Sequence, residues 1–276
     1  MMRPKLGIIA GRGELPREII DECRRIGRSC FVVALKGQAD PEITTDCPHL
    51  WVRLGAAGKT IAAFRRENVS ELVMAGSVNR PSLLQLCPDL WALRFFLRTG
   101  VANKGDNSLL QALVNALETR EGFQVVGAHT LLPDLLASEG CLGEVTPSGD
   151  AQRDIKVAWK AARDLGRRDV GQAVVARDGA LVAEESASGT AAMLAAVRPD
   201  GKNACNGVLV KVAKPGQELR ADMPTIGPDT LTQVSKAGLA GIAIEAGKTI
   251  ILNKKETLET ANRLKIFIVG LSGKNG

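Results

Sequence analysis

The sequence predicts an α/β protein in two parts: an N-terminal Rossmann-like domain with a parallel sheet, joined to a C-terminal mixed α+β domain. Three observations predict it. Short apolar runs alternate with helical periodicity through the first half, which requires crossovers and therefore parallel strands. The second half holds a hairpin signal, Arg177-Asp178-Gly179, which a purely parallel sheet does not contain. Between them, Pro133, Gly140, Gly143, Pro147 and Gly149 mark residues 133–149 as a linker, leaving domains at 1–132 and 150–276.

Residues 5–10 form the first apolar strand, which runs into Gly11-Arg12-Gly13. Pro16 suits the first turn of a helix reaching residue 26, where Gly27 stops it. Residues 31–35 are a second buried strand and 59–67 a helix. A third strand over 72–75 ends at Gly76-Ser77-Val78-Asn79-Arg80-Pro81. Residues 82–99 read as helix, broken at Pro88, whose ring removes a backbone donor. Leu109, Leu110, Leu113, Val114 and Leu117 share one face of a helix over 107–118. A strand at 123–126 follows.

In the second half, a helix spans 150–165 and strands at 173–176 and 180–183 flank the hairpin turn. A helix at 190–197, a strand at 207–212 and a helix at 230–237 come next. Residues 241–244 and 249–252 read as a second hairpin around Glu245-Ala246-Gly247-Lys248. A last helix over 256–264 leads to a strand at 266–271.

The 276 residues carry 36 Lys plus Arg against 30 Asp plus Glu, a formal charge of +6, with 45% apolar and 24% charged residues. These proportions exclude a disordered chain, a collagen and a coiled coil; the mild positive charge suits an anionic partner. Two histidines, His49 and His129, exclude a His-rich metal site. Six Phe, three Trp and no Tyr offer few stacking platforms, so no nucleic-acid partner is expected. The six cysteines show no C-x-x-C spacing, which excludes a zinc ribbon and a thioredoxin motif; they are expected to be reduced and mostly packed. The apolar run before Gly11 is too short for a signal peptide, and no stretch approaches about 18 apolar residues. A cytoplasmic location is therefore expected.

Gly11-x-Gly13 after the first strand invites a dinucleotide reading. The third glycine's position holds Pro16, and Lys36 stands where a ribose-binding acid belongs, so that reading fails. An anion contact survives. Gly11 and Gly13 let backbone N–H groups approach a phosphate at a helix start, and Arg12 favours it. Asn79 and Arg80 follow the third strand at its carboxyl end, where open α/β sheets bind ligands. The densest polar segment is 211–228. Lys211, Lys214 and Arg220 can neutralise a diphosphate there. Asp222 beside them can bind Mg²⁺ or take a proton from water. In Asn103-Lys104-Gly105-Asp106-Asn107, Asp106 suits a helix cap and a ligand contact alike. Glu185, near Gly189-Thr190, is either a metal ligand or an exposed acid.

Several segments, in order along nearly the whole chain, resemble one family. They are Leu6-Gly7-Ile8-Ile9-Ala10-Gly11, Ala75-Gly76-x-Val78-Asn79-Arg80-Pro81, Lys104-Gly105-Asp106, Gly127-Ala128-His129, Asp169-x-Gly171-Gln172, Lys214-Pro215-x-Gln217 and Arg220-x-Asp222-x-Pro224-Thr225-Ile226-Gly227. The sequence resembles the UDP-2,3-diacylglucosamine pyrophosphatases of the LpxI type, enzymes of lipid A biosynthesis. The resemblance implies hydrolysis of the pyrophosphate of UDP-2,3-diacylglucosamine to UMP and 2,3-diacylglucosamine 1-phosphate (lipid X), with a divalent cation, typically Mg²⁺. It implies that Asp222 is the catalytic aspartate, and that Gln172, Gln217, Thr190 and Thr225 lie in substrate-contacting motifs. Asn107, Thr130, Ser188 and Ala191 stand where acids are common in the family, and losing carboxylates weakens a Mg²⁺ site. Those departures motivate the alternative, a non-catalytic nucleotide-sugar or lipid-binding homologue on the same fold. A homodimer is the expected assembly, and the positive charge suggests peripheral contact with the inner membrane surface.

Overall fold

The computed structural model describes residues 3–79, 86–101, 105–199 and 205–273. They form two compact units, residues 1–133 with 218–222, and residues 134–217 with 223–276.

The first unit is built on five parallel strands: β1 (Leu6–Ala10), β2 (Cys30–Leu35), β3 (His49–Val52), β4 (Glu71–Ala75) and β5 (Gln124–Val125). Their order, β3-β2-β1-β4-β5, is a Rossmann-like arrangement. The described helices are α1 (Leu15–Arg25), α2 (Ala57–Arg66), α3 (Leu90–Thr99), α4 (Asp106–Thr119) and the single turn α5 (Ala128–Leu131). Each long helix buries one stripe, as with Ile19, Ile20 and Cys23 of α1. Gly7 lets α2 close on the sheet, because a Cβ there would lie 2.6–2.8 Å from Leu72, Phe64 and Val69. The sequence reading passed over β3: it has four residues and begins with the exposed His49, so no apolar run marks it.

One side chain caps two helices. Asp89 Oδ1 accepts from Ala92 N–H at 2.9 Å at the start of α3. Its Oδ2 accepts from Gly58 N–H at 2.7 Å in the first turn of α2, whose own N-cap is Ala56, with no side-chain acceptor.

The second unit holds a six-stranded mixed sheet, ordered β6-β13-β11-β9-β7-β8. Its strands are β6 (Gly140–Cys141), β7 (Ala173–Arg177), β8 (Ala180–Glu184), β9 (Val208–Lys211), β11 (Gly241–Glu245) and β13 (Phe267–Leu271). Neighbouring strands pair in parallel only among β9, β11 and β13. Strand alternation builds two cores. Val174, Val208, Val210, Ala243 and Phe267 face Ile155, Trp159 and Leu165 of α6 (Gly149–Arg167). The intervening Val175, Leu209, Ile242, Ile244 and Ile268 face Leu194 of α7 (Gly189–Ala196), Leu231 of α8 (Pro228–Lys236) and Ala261 of α9 (Lys254–Leu264). The expected β7–β8 hairpin turns through Asp178 and Gly179, both at positive φ (53° and 76°). The buried Asp154 of α6 accepts Gly179 N–H at 2.6 Å.

Three expectations change. The second hairpin does not form. Residues 241–245 pair in parallel with β9 and β13, while β12 (Ile250–Ile251) pairs in parallel with β10 (Thr225–Ile226) in a separate two-stranded sheet. Every residue of β11 is buried, which is the signature of a central parallel strand rather than a hairpin arm. The stretch expected as a linker contains β6, which pairs antiparallel with β13. No disulfide joins the six cysteines, and Cys87, Cys141 and Cys205 are exposed rather than packed. No described helix is long and apolar enough to cross a membrane.

Candidate active site

At the carboxyl end of the first sheet, Arg12 and Ser77 exchange both backbone hydrogen bonds at 2.9 Å. The crossing requires glycine. A Cβ on Gly11 would lie 2.5 Å from Ser77 O, and one on Gly76, at φ +87°, 2.6 Å from Arg12 O. Gly11 N–H donates to Ala75 O at 2.8 Å and Gly13 N–H to Asp40 Oδ2 at 3.1 Å. The amides expected to cradle an anion therefore already hold protein acceptors. What this edge presents outward is the exposed side chains of Arg12 and Asn79. Gln38 fixes Asn79, accepting its N–H at 2.9 Å and donating to its carbonyl at 3.4 Å. Arg80 and Lys104 lie outside the described residues. Asp106 is not the cap: Gly105 holds that position and Asp106 begins α4, where a carboxylate suits the positive helix end.

The segment carrying Asp222 docks on α4 through a charged brace. Glu218 N–H donates to Asn107 Oδ1 at 2.9 Å. Arg220 grips both Glu218 oxygens with Nε and Nη2, at 2.8 and 2.9 Å, and gives Nη1 to Glu118 Oε1 at 2.8 Å. Those bonds hold the Glu218 carboxyl below its ordinary range and push the Arg220 guanidinium up. Ala221 packs on the apolar cluster around Phe31 and Phe64. Asp222 N–H closes a turn on Glu218 O at 2.9 Å, and its side chain is exposed. Arg220, expected as a phosphate cation, is committed here to two carboxylates and fixes the loop that presents Asp222. Asn107, noted in the sequence as a missing acid, is part of that brace.

In the second unit, Lys214 Nζ pairs with Asp169 Oδ1 at 2.8 Å. Lys214 N–H donates to Gln217 Oε1 at 2.8 Å, and Gln217 N–H returns to Lys214 O at 3.0 Å. The turn between them uses Gly216 at φ +71°. Lys211 Nζ donates to Thr225 O at 3.0 Å, and the Thr225 hydroxyl to Met223 O at 3.0 Å. Glu185 is buried, not exposed. Its Oε2 accepts Gln172 N–H at 2.7 Å and its Oε1 the Thr190 hydroxyl at 2.5 Å. With both oxygens holding protein donors, Glu185 ties β7 to α7 and fits a metal poorly. Gln172 keeps one buried side-chain atom, Oε1, without a hydrogen-bond partner among the described residues. Glu245, read in the sequence as part of a hairpin turn, is 1% exposed; it accepts Ala213 N–H at 3.1 Å and Lys248 Nζ at 2.8 Å. It thereby anchors the residue before Lys214. Among the described residues, no three His, Cys, Asp or Glu side chains gather as a metal cage.

Residues 5–135 match the LpxI N-terminal domain and residues 138–269 the LpxI C-terminal domain. The chain belongs to the LpxI family. Its relative named UDP-2,3-diacylglucosamine pyrophosphatase LpxI, from Caulobacter vibrioides, is 38% identical over 275 residues, covering 97% of each chain. The two LpxI domain matches meet between residues 135 and 138, beside the Pro133–Asp134 boundary of the two units. Two solved structures from Aspergillus clavatus also align. Carboxyaminoimidazole ribonucleotide synthase complexed with ATP is 12% identical, with TM-score 0.24, over 63% of this chain and 38% of its own. N5-carboxyaminoimidazole synthase, with ADP and 5-aminoimidazole ribonucleotide, is 13% identical, with TM-score 0.23, over 67% and 41%. The LpxI-family chain spans about two fifths of their length, and a likeness so slight carries no argument.

Proposed function

We propose that this LpxI-family chain hydrolyses the pyrophosphate bond of UDP-2,3-diacylglucosamine, giving UMP and 2,3-diacylglucosamine 1-phosphate, with Asp222 as its catalytic carboxylate and a divalent cation such as Mg²⁺ as cofactor. The observation that carries the reading is the braced loop, Arg220 held between Glu218 and Glu118 with Asp222 exposed beside it. Three charged groups and Asn107 fix the loop, which holds Asp222 in one position. An exposed carboxylate so held can take a proton from an attacking water. One carboxylate with diphosphate oxygens and waters is also a usual Mg²⁺ donor set, so Asp222 fits that ion where Glu185 does not. When bound, the cation offsets diphosphate charge and polarises a P–O bond. Lys211 and Lys214 supply charge for the phosphoryl oxygens; Arg12 and Asn79 contact the nucleotide. Incubation with UDP-2,3-diacylglucosamine, with and without EDTA, tests this: UMP should appear only without chelator. Metal-independent turnover would remove the cation, and binding without UMP would favour the non-catalytic alternative.

The same proposal places the protein in the cytoplasm, in contact with the inner membrane that carries such a lipid. Leu90, Leu93 and Leu97 of α3 are 62%, 46% and 75% exposed, at i, i+3 and i+7, with the exposed Arg94 and Arg98 beside them. An apolar strip edged by cations suits an anionic lipid surface. Anionic liposomes should sediment the protein, and Leu93→Asp with Leu97→Asp should leave it in the supernatant. The expected homodimer has a candidate surface in β8, an open sheet edge with Leu181 and Val182 exposed; light scattering measures the assembly.

A further inference from the structure

In the second unit one buried carboxylate fixes the hydrogen-bonding sense of two neighbouring side chains. Glu185 follows β8 directly and is buried. Gly171 lets the entry of β7 close on it, since a Cβ there would lie 2.7 Å from Glu185 O and 2.9 Å from Glu185 Cβ. That approach brings Gln172 N–H to Glu185 Oε2 at 2.7 Å, while Oε1 takes the Thr190 hydroxyl at 2.5 Å. Gln172 O in turn accepts Val212 N–H at 3.0 Å. The pair therefore lies beside the stretch of chain that runs on to Lys214 and its partner Asp169. Thr190 is half-buried. A hydroxyl has one proton and two lone pairs, and a carboxylate only accepts. With its proton given to Glu185, Thr190 meets a ligand as an acceptor alone. Gln172 is half-buried as well, and its Oε1 is enclosed with no hydrogen-bond partner among the described residues. Enclosing the NH₂ group instead would leave two N–H donors unmet, which is costlier than one unmet oxygen. The Gln172 carboxamide thus turns its donors away from the enclosed side.

We propose that Thr190 and Gln172 recognise an amide-type group of the ligand, Thr190 accepting its N–H and Gln172 donating to its carbonyl oxygen, with Glu185 as the positioning residue that sets the sense of Thr190. An ionised phosphate oxygen has no proton to give, so Thr190 held in this way does not suit the diphosphate. It belongs with a neutral part of the ligand instead. The inference rests on the reading of the chain as a hydrolase of UDP-2,3-diacylglucosamine, and that molecule carries such a group in two places. One is uracil, whose N3–H lies between two carbonyls. The other is the amide that joins an acyl chain to the glucosamine nitrogen. Glu185 keeps a part in the site without touching metal or ligand: it commits the Thr190 proton and holds the Gln172 backbone.

Calorimetry on the full chain with the two hydrolysis products, which need no turnover, separates the sources. UMP is compared with 3-methyl-UMP, and 2,3-diacylglucosamine 1-phosphate with the glucose analogue whose 2-acyl group is an ester. Each analogue keeps the carbonyls and loses the N–H. One of the two analogues should bind the wild type at least about tenfold more weakly than its parent. Thr190→Val should bind that parent and its analogue equally, and Thr190→Ser, which keeps the hydroxyl, should discriminate as the wild type does. Gln172→Ala should weaken parent and analogue by the same factor. In Glu185→Gln the Gln172 N–H claims the one remaining oxygen, so the new NH₂ group faces Thr190 and frees its proton. The ratio of parent to analogue affinity should then shrink, which a loss of stability alone would not bring about. Equal binding of both analogues and their parents by the wild type would overturn the proposal, and that comparison needs no variant that folds. Undiminished discrimination in Thr190→Val or Glu185→Gln would overturn it as well. UMP release from UDP-2,3-diacylglucosamine is measured alongside. Discrimination without turnover would remove the hydrolase reading and leave this one, and turnover without discrimination would do the reverse.

Discussion

Replacing Asp222 by Asn keeps its shape and removes its charge and basicity. If the carboxylate handles the water proton or the cation, kcat should fall by at least about a hundredfold, with the circular dichroism spectrum unchanged. Normal turnover in that folded variant would remove Asp222 from the chemistry. Glu218 gives a second handle. Arg220's hydrogen bonds hold its carboxyl below the ordinary 4.5. On acidification the unfolded chain takes up this proton before the folded chain does. The brace therefore contributes fully above pH 4.5 and is lost as pH falls through the lower folded value. Urea midpoints of wild type and Glu218→Gln should differ at pH 7 and converge as pH falls below 4.5; a gap that persists in acid would mean the ion pair contributes nothing. Asp222, Lys211 and Lys214 stand out in the sequence because charge is dense around them. Their holders do not. Asn107 is 111 positions from Glu218, and Asp169 is 45 from Lys214, so no local pattern announces either. Gly11 and Gly13 are the opposite case: the glycines were visible, but not the Ser77 strand crossing that needs Gly11 or the Asp40 carboxylate that takes the Gly13 N–H.

Asp89 decides how two helices begin. Asp89→Ala strips the side-chain cap from α3 and the borrowed one from α2, costing about 2 kcal/mol if each cap contributes about 1; Asp89→Asn should retain most of the α3 half. A loss no larger than a single cap would mean that Gly58 finds water instead. Long periodic elements such as α4 and α6 were readable, because one apolar stripe repeats over three or more turns. So was the β7–β8 turn, since few residues other than Asp-Gly tolerate two positive φ values. The two-residue strands β6 and β10 left no such trace, and β12, inside the run read as a strand over 249–252, was given the wrong partner. The false second hairpin shows the limit. Residues 241–252 contain two apolar runs and a glycine turn, but β9 and β13 claim the first run from both sides.

The chain crosses between its two units at 133/134, leaves the second at 217/218 and rejoins it at 222/223. The N-terminal unit is thus incomplete as residues 1–133, which lack the Arg220 brace and the cover of Ala221. Expressed alone, that piece should unfold at a lower urea concentration than the same sheet in the full chain, followed through Trp51 and Trp91 fluorescence; an unchanged midpoint would make 218–222 an ornament. The two-unit α/β plan was legible from the strand and helix alternation, whereas this exchange of five residues was not, since it depends on side chains of α4 meeting a loop from the far half of the sequence. The borrowed segment also sets a clock. On the ribosome the N-terminal sheet can form early, but the loop bearing Asp222 finds its seat only after most of the second unit has been made. A nascent chain stalled before that point carries the Rossmann-like sheet with α4 still waiting for its last partner, so the protein passes through synthesis without Asp222 held in its final position.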